Sequence, residues 1–316
     1  MARAFVPRTA TGTNRLSSQE PSMSHPASPA TPIHSGSSSS SNSAPFRVAA
    51  LQMVSTPDRE RNLADAEGLI AQAANQGARL VLLPEYFCFM GHKDSDKLTI
   101  REAYGDGPIQ RFLATAAKRH GVWIIGGTLP LRATNPAPEE NRVLNTTLVF
   151  DPSGAERARY DKIHLFSFEK GAESFDEART IRPGAEVRTF DAPFGRVGLS
   201  VCYDLRFPEL YRRMGDCALM VVPSAFTYTT GRAHWETLLR ARAVENQCYV
   251  LAAAQGGQHE NGRRTWGHSM LIDPWGEIVD VLDESPGVVI GEIDLERMAA
   301  VRASLPAWRH RVLDCP

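Results

Sequence analysis

A short apolar segment that ends in a proline and a carboxylate is the strongest constraint on how this chain folds. Residues 80–83 form a continuous apolar run, which is typical of a strand buried on both faces of a sheet. Pro84 and Glu85 follow it directly. A carboxylate placed after a buried strand is costly unless it is ionised and paired, or neutral and hydrogen-bonded. From the sequence alone, Glu85 is either such a group or an ordinary solvated loop residue.

Strand and helix patterns alternate along the chain from Phe46 onward. The predicted strands are 46–54, the run before Glu85, 122–125, 145–151 paired with 157–165 as a hairpin, 197–202, 218–223, 249–254, 269–272 and 288–293, and the predicted helices are 62–76, 109–120 and 233–246. In the last of these helices, Trp235, Leu238, Leu239 and Ala243 share one side, which predicts a core-facing stripe. The alternation predicts an α/β sandwich with buried strands.

The first 45 residues differ in composition from the rest of the chain. Residues 35–43 are almost all serine, and Pro, Thr and Ala fill much of the remaining head. Such a segment cannot bury enough apolar surface to offset its ordering entropy, so we predict a disordered head (1–45) and a folded domain (46–316). Arginines at 3, 8 and 15 precede the first acid and loosely resemble a transit peptide. The alternatives are a dispensable head, or Met23 as the true initiator.

Cys202 lies where a predicted strand runs into a predicted helix. Apolar and small residues alternate from 197 to 202, which places the thiol on the face of small residues. Pro208 and Glu209 suit a first helical turn. A thiol near the positive end of a helix has a reason to ionise, and the thiolate is the nucleophile. The alternative is a buried cysteine that acts as a small hydrophobic residue.

Lys162 lies in a segment that mixes charged, aromatic and apolar side chains. Tyr160, Lys162 and His164 share one face of the predicted strand, and Ile163 and Leu165 occupy the other. A lysine with such neighbours is a candidate partner for the thiol and for Glu85. The alternative is a solvated surface charge.

Three segments together resemble the signature segments of the nitrilase, or carbon–nitrogen hydrolase, superfamily. They are Leu-Pro-Glu at 83–85, Asp-Lys-Ile-His-Leu-Phe at 161–166, and Ser-Val-Cys-Tyr-Asp-Leu-Arg-Phe-Pro-Glu at 200–209. The resemblance covers roughly residues 46–311. Segments 230–236, 239–250, 252–255 and 267–276 are similar to the Nit branch, and most similar to the deaminated glutathione amidases and their omega-amidase relatives. The resemblance implies a four-layer α-β-β-α sandwich, assembled as a homodimer or a higher homo-oligomer.

The chemistry of amide hydrolysis agrees with what the resemblance implies. Cys202 would attack the carbonyl carbon and form a thioester while ammonia leaves. Glu85 would act as general base and then general acid. Lys162, together with the backbone N–H of Tyr203, would stabilise the oxyanion. The cation would also lower the pKa of the thiol.

A second glutamate orients the lysine in this superfamily. Glu177 is the position that matches it best, and Glu173 is a nearby competitor. Both lie in the stretch that follows the Lys162 segment.

Three further residues are candidates for substrate binding. Arg206, at the expected start of the elbow helix, is suited to two-pronged recognition of a carboxylate. Its alternative role is a salt bridge to Asp204 or Glu209. Phe226 and Tyr228 are candidates for the pocket wall, and both are equally compatible with the core.

The predicted function is therefore hydrolysis of a carboxylate-bearing omega-amide, such as deaminated glutathione or an α-keto acid amide, with release of ammonia. The sequence Cys-Tyr-Asp at 202–204 departs from the Cys-Trp-Glu of true nitrilases, which argues against nitriles. The enzymatic alternative is hydrolysis of N-carbamoyl amino acids. A non-catalytic interaction protein with the same fold is the other alternative, although a binding module needs none of Glu85, Lys162 and Cys202.

Composition and motifs limit the possible partners. The net charge of −1 gives no electrostatic case for nucleic acid or anionic membranes, and no apolar run reaches 18 residues. Five scattered cysteines argue against a disulfide framework, and a free thiol suits a reducing, cytoplasmic location, with organellar targeting by the head as the alternative. The sequence contains no HExxH, CxxC, GxGxxG or Walker-type motif, so we predict neither a metal nor a cofactor. The histidines at 164, 234 and 268 lie in no papain-like signature, and the glycine-rich stretch 255–258 is predicted to be a turn.

Overall fold

A computed structural model describes residues 46–133, 141–171 and 173–313. The predicted head and Cys315 lie outside the described residues. The strands are β1 (Phe46–Gln52), β2 (Leu80–Leu82), β3 (Trp123–Ile125), β4 (Leu129–Arg132), β5 (Val143–Phe150), β6 (Glu156–Asp161), β7 (Ser167–Lys170), β8 (Glu173–Asp176), β9 (Thr189–Ala192), β10 (Gly195–Leu199), β11 (Leu219–Ser224), β12 (Tyr249–Ala254), β13 (Gly256–Gln258), β14 (Arg264–Trp266), β15 (Met270–Ile272), β16 (Ile278–Val281) and β17 (Gly287–Ile293). The α-helices are α1 (Arg59–Asn75), α2 (Pro108–His120), α3 (Pro208–Arg213), α4 (Tyr228–Asn246) and α5 (Leu295–Ser304).

Most of the strands form two large sheets. The first has the order β17-β1-β2-β3-β5-β4, with β6 paired to β5, and the second has the order β16-β15-β12-β11-β10-β9. Strands β1, β2 and β3 run parallel, as do β10, β11 and β12. The hairpins β7–β8 and β13–β14 lie outside these two sheets.

The burial of β2 explains the layer order. Leu80 and Leu82 belong to a core that also contains residues of β10, β11 and β12, whereas Val81 and Leu83 belong to a core shared with α1 and α2. Because successive side chains of a strand point to opposite faces, the first sheet is covered by helices on one side and by the second sheet on the other. The Trp235 and Leu239 side chains of α4 pack against the outer face of the second sheet. The predicted four-layer α-β-β-α sandwich is thus confirmed.

The two sheets meet along their carboxyl edges. Met53, just after β1, donates its N–H to Ala254 O, and its own carbonyl accepts from Gly256 N. Parallel strands of both sheets therefore end at one shared edge, which is where α/β proteins usually bind ligands.

Several predicted boundaries were wrong. Helix α4 begins at Tyr228 rather than at 233, because Thr227 caps it by accepting from Thr230 N at 3.3 Å. The hairpin strand ends at Asp161, before Lys162, instead of continuing to residue 165. The stretch 255–258 is a short paired strand rather than a turn, since β13 pairs with β14.

Among the described residues, no helix is both long enough and apolar enough to span a membrane.

Candidate active site

Glu85 lies three residues past the end of β2 and is almost completely buried. Its Oε1 accepts from Lys162 Nζ and from Asn145 Nδ2, both at 2.9 Å, and its Oε2 accepts from Ala225 N at 3.0 Å. Three donors are thus directed at one buried carboxylate, and both of its oxygens are hydrogen-bonded. The structure therefore places Glu85 as a buried, paired carboxylate and not as a solvated loop residue.

Lys162 is completely buried and lies between two carboxylates. Besides Glu85, its Nζ donates to both oxygens of Glu177, at 2.9 and 2.7 Å. Burial by itself would lower the pKa of Lys162, but the negative charges of Glu177 and Glu85 outweigh it and raise that pKa well above its usual value. Lys162 is therefore a fixed cation in this site.

Glu177 is the carboxylate that completes the pair of acids around the lysine. It lies in a 3₁₀ turn after β8, and its side chain also accepts from Phe166 N at 2.8 Å and from the Tyr86 hydroxyl at 2.9 Å. Burial would raise its pKa, but the adjacent Lys162 lowers it below the usual value. Glu173, the competing candidate, lies in β8 with its backbone paired to Lys170.

Cys202 lies at a sharp turn rather than in the strand that precedes it. Strand β10 ends at Leu199, and Cys202 begins a 3₁₀ turn with a φ of 51°. The left-handed backbone is strained for a residue with a Cβ, which is a feature often found at functional sites. The prediction that the thiol shares a strand face was wrong, because the chain leaves the strand three residues earlier.

The Cys202 thiol interacts electrostatically with Glu85, Lys162 and Glu177. Burial raises the pKa of Cys202 well above its usual value, and the Glu85 carboxylate raises it further, while Lys162 opposes both effects. Burial and Glu85 therefore oppose the predicted ionisation of the thiol, and Lys162 favours it. A neutral thiol needs a base, and Glu85 is the nearby acceptor.

Asp204 connects the Cys202 turn to the Lys162 segment. Its Oδ1 accepts from the backbone N of His164 at 2.9 Å and lies 2.7 Å from His164 Nδ1. Its Oδ2 accepts from Val201 N at 2.9 Å and from the Tyr160 hydroxyl at 2.7 Å. His164 is thus a structural partner of this turn, and Asp204 is occupied by groups other than Arg206.

A narrow pocket of about 10 Å³ opens beside the thiol. It is lined by Phe166, Cys202, Tyr203, Arg206, Ala225, Phe226, Thr227 and Thr230. Arg206 ends the 3₁₀ turn, its guanidinium lies 5.5 Å from the Phe226 ring centre, and two of its nitrogens lie 3.3 Å from His234 Nδ1. Arg206 and Phe226 are therefore at the thiol, as the sequence predicted.

Tyr228 lies elsewhere, so the structure does not support its predicted place in the wall of the thiol pocket. It is the first residue of α4 and lines a neighbouring depression. There its ring centre lies 5.1 Å from that of Trp266, and the Arg264 guanidinium carbon lies 3.8 Å from the Tyr228 ring centre. A larger cavity of about 660 Å³ lies beside β6 and residues 182–189, but its lining includes none of the charged groups around the thiol.

Comparisons with known proteins agree with this geometry. The carbon–nitrogen hydrolase family profile matches residues 47–303. The chain belongs to the carbon–nitrogen hydrolase family. It is 44% identical to a deaminated glutathione amidase of Synechocystis over 85% of this chain and 98% of that protein, and 37% identical to human omega-amidase NIT2 over 85% and 96%. The crystal structure of NitFhit from Caenorhabditis elegans superimposes with a TM-score of 0.76 at 39% identity, over 84% of this chain and 65% of that longer chain. This hydrolase is thus an enzyme of the amidase type, in the Nit branch of the nitrilase superfamily.

Sequence reasoning missed several polar groups that hold the site of this hydrolase together. Asn145 is the third residue of β5, and its side-chain amide donates to the Glu85 carboxylate. Gln255 directly follows β12, and its side-chain amide donates to the backbone carbonyl of Glu85 at 3.0 Å. Both are buried amides within or directly after apolar strands, which is the signal that could have identified them. The Ala225 N–H carries no sequence signal, because any residue except proline supplies it.

Proposed function

We propose that this hydrolase cleaves the omega-amide of a carboxylate-bearing substrate, with Cys202 as nucleophile, Glu85 as proton carrier and Lys162 as the cation that stabilises the oxyanion. The observation that carries the proposal is the completely buried Lys162, hydrogen-bonded to Glu85 and Glu177 beside a buried thiol. A purely structural core gains nothing from burying a lysine between two carboxylates, because desolvating charges is expensive.

The proton balance follows from this arrangement. Glu85 takes the thiol proton as the sulfur attacks the carbonyl carbon, and it gives that proton to the leaving nitrogen when the C–N bond breaks. The acyl group remains on sulfur as a thioester. Glu85 then takes a proton from water, which attacks the thioester, and the proton returns to sulfur as the acid leaves.

Oxyanion stabilisation is shared between a charge and backbone donors. The N–H groups of Lys162 are directed at two carboxylates, so the lysine acts on the oxyanion mainly through its charge. We assign the direct donor role to the backbone N–H of Tyr203, the residue after the nucleophile. Glu177 positions Lys162 and does not contact the substrate.

The acyl part of the substrate carries a carboxylate that Arg206 binds. The arginine lines the thiol pocket, where two of its nitrogens lie 3.3 Å from His234 Nδ1. Phe226, buried beside it, forms the apolar wall. Relatives named for deaminated glutathione and for omega-amides both point to such substrates.

The two candidate substrates release different products. In deaminated glutathione the distal carboxyl of 2-oxoglutarate is joined to the amine of cysteinylglycine, so its hydrolysis releases that dipeptide. An unsubstituted amide, such as α-ketoglutaramate, releases ammonia. The ammonia expected from the sequence therefore applies only to the unsubstituted amide.

A side-by-side substrate panel tests the proposal. The purified full-length chain is offered deaminated glutathione, α-ketoglutaramate, an N-carbamoyl amino acid and a nitrile, with Cys202→Ser as the inactive control. We expect release of 2-oxoglutarate from one or both of the first two. Turnover of the N-carbamoyl compound alone, or of none of the four, would overturn the proposal in favour of the carbamoyl hydrolase or the interaction protein.

The homo-oligomer and the cytoplasmic location stay predictions. Light scattering on the purified chain and fractionation of cells that express it are the corresponding measurements.

A further inference from the structure

A second depression adjoins the thiol pocket. The two share Thr227, and the second has a volume of about 380 Å³, against about 10 Å³ beside the thiol. A space of about 10 Å³ holds little more than one water-sized group. A leaving group as large as a dipeptide does not fit in that space, and the adjoining depression is large enough to hold it.

Arg263 is the cation in this depression whose charge is least compensated. Its side chain is one-quarter exposed, and the nearest carboxylate oxygen, on Asp94, lies 3.7 Å away. Its Nε is buried and has no hydrogen-bond partner among the described residues. The neighbouring Arg264, in contrast, forms a two-pronged contact with Glu284 at 2.8 to 3.1 Å.

Local contacts hold Arg263 at a fixed place relative to the thiol. In the loop between β13 and β14, Asn261 donates to Gly91 O at 2.7 Å and accepts from Arg263 N at 3.0 Å. The guanidinium of Arg263 lies 5.1 Å from the Phe175 ring centre. The ring centres of Phe175 and Phe166 are 5.7 Å apart, and Phe166 lines the thiol pocket. A preorganised arginine of this kind suits recognition of a carboxylate.

We propose that this depression binds the leaving group of the substrate and that Arg263 pairs with a carboxylate on it. This inference rests on the proposed function and narrows its substrate class. The favoured substrates are amides whose amine part is a short peptide or amino acid with a free carboxylate. When the C–N bond breaks, the nitrogen takes the proton held by Glu85, and the free amine leaves from this depression before water attacks the thioester.

The test compares three substrates and four proteins. The substrates are deaminated glutathione, the same compound with its glycine carboxylate converted to an amide, and α-ketoglutaramate, all followed by release of 2-oxoglutarate. The proteins are the parent, Arg263→Gln, Arg263→Lys and a matched control, Arg196→Gln. Arg196 is also partly exposed and lies 3.7 Å from one carboxylate, that of Asp191, but it belongs to β10 and lines neither depression.

We expect Arg263→Gln to lower kcat/KM for deaminated glutathione by roughly tenfold or more, the effect of losing one charge-assisted contact. It should change α-ketoglutaramate turnover by less than about twofold, and Arg263→Lys should recover part of the loss. The capped substrate should be poor for the parent and insensitive to the substitution. The Arg196 control should match the parent throughout.

Two results would overturn the inference and leave the proposed function standing. One is an equal loss on all three substrates, which would make Arg263 a structural residue of the loop. The other is a parent enzyme that hydrolyses α-ketoglutaramate but not deaminated glutathione. Absence of turnover by the parent on every amide would instead overturn the proposed function, and this inference with it.

Discussion

The two ends of the parallel strands β10, β11 and β12 both carry buried cysteines, yet the two ends differ in every other respect. Cys202 follows the carboxyl end of β10, while Cys217 and Cys248 precede the amino ends of β11 and β12. Burial raises the pKa of all three thiols, that of Cys217 to about 12. Burial by itself therefore does not make a cysteine a nucleophile.

Charged partners and access distinguish the carboxyl end. Cys202 lies beside Glu85 and Lys162 and lines a pocket, whereas Cys248 lies in the apolar core with no exposed surface. The carboxyl ends of the two sheets meet at the Cys202 site, where a base from one sheet lies beside a thiol from the other. The comparison indicates that a nearby proton acceptor, and not a low thiol pKa, distinguishes the nucleophilic cysteine from the structural ones.

Removing the thiol at each end gives the largest expected contrast. Cys202→Ala should abolish turnover, because no other group in the pocket can form the acyl intermediate. Cys217→Ala and Cys248→Ala should keep the parent rate and lose stability by roughly 1 kcal/mol from imperfect core packing. Initial rates and urea unfolding curves measure both effects. Full activity in Cys202→Ala would remove it from the mechanism.

Replacing the base separates thiol acidity from proton transfer. Glu85→Gln removes a negative charge beside the thiol, so the pKa of Cys202 should fall and alkylation by iodoacetamide should begin at a lower pH. The turnover rate should nevertheless fall by ~10²-fold or more, the usual effect of losing a general base.

The control for that experiment is the alkylation of Cys217 in the same samples, followed by mass spectrometry. Its pKa depends on burial and on other neighbours, so its labelling should not change. A variant whose turnover rises along with its alkylation rate would show that thiolate population, rather than proton transfer, limits the reaction.

Much of the fold could be predicted from the sequence, because the signals were local. The apolar run before Glu85, the stripe around Trp235 and the pairing of 145–151 with 157–165 each depend on a local sequence pattern. All three occur, although the second hairpin strand ends at Asp161. The boundary errors at Lys162 and Tyr228 come from contacts that periodicity does not report. At Lys162, strand β6 ends one residue earlier, at Asp161. At Tyr228, the helix begins early because Thr227 caps it.

The sequence predicted the charged residues of the site but not the groups that support them. Glu85, Lys162, Glu177 and Cys202 come together as the family resemblance implied. The raised pKa of the thiol could not be predicted, since it depends on desolvation by residues from both sheets. The backbone N–H of Ala225 was invisible for a related reason, because main-chain donors depend on the fold and not on residue type.

The buried ion cluster should be more sensitive to removal of its cation alone than to removal of the cation together with one of its two carboxylates. Lys162→Met leaves two buried carboxylates without a counter-ion and should destabilise the fold by about 3–5 kcal/mol. The double variant Lys162→Met with Glu177→Gln should recover part of that loss while staying inactive. Denaturant midpoints at neutral pH compare the two, and equal stability of both would mean that Glu177 is not held by the lysine.

Acid unfolding sharpens the same point. The pKa of Glu177 is lower in the folded protein than its usual value, so its pairing stabilises the fold at neutral pH, and this stabilisation is lost as pH falls below the usual carboxylate range. Glu177→Gln should therefore show a smaller loss of stability between neutral pH and about pH 3 than the parent does. If the variant and the parent lose the same free energy of unfolding between neutral pH and about pH 3, the pKa of Glu177 is not lowered by folding.

The smallest expected effect concerns Arg206, which lines the same pocket and has two nitrogens 3.3 Å from His234 Nδ1. If it binds the substrate carboxylate, the ion pair exists before and during bond breaking, so Arg206→Ala should raise KM more than it lowers kcat, by roughly tenfold in kcat/KM. Arg206→Lys should recover only part, because an ammonium cannot reproduce the planar two-pronged contact. An amide without that carboxylate should be poor for the parent and indifferent to either change. Steady-state kinetics on both substrates decide the matter, since equal losses on the two would make Arg206 a structural support of the turn that carries Cys202.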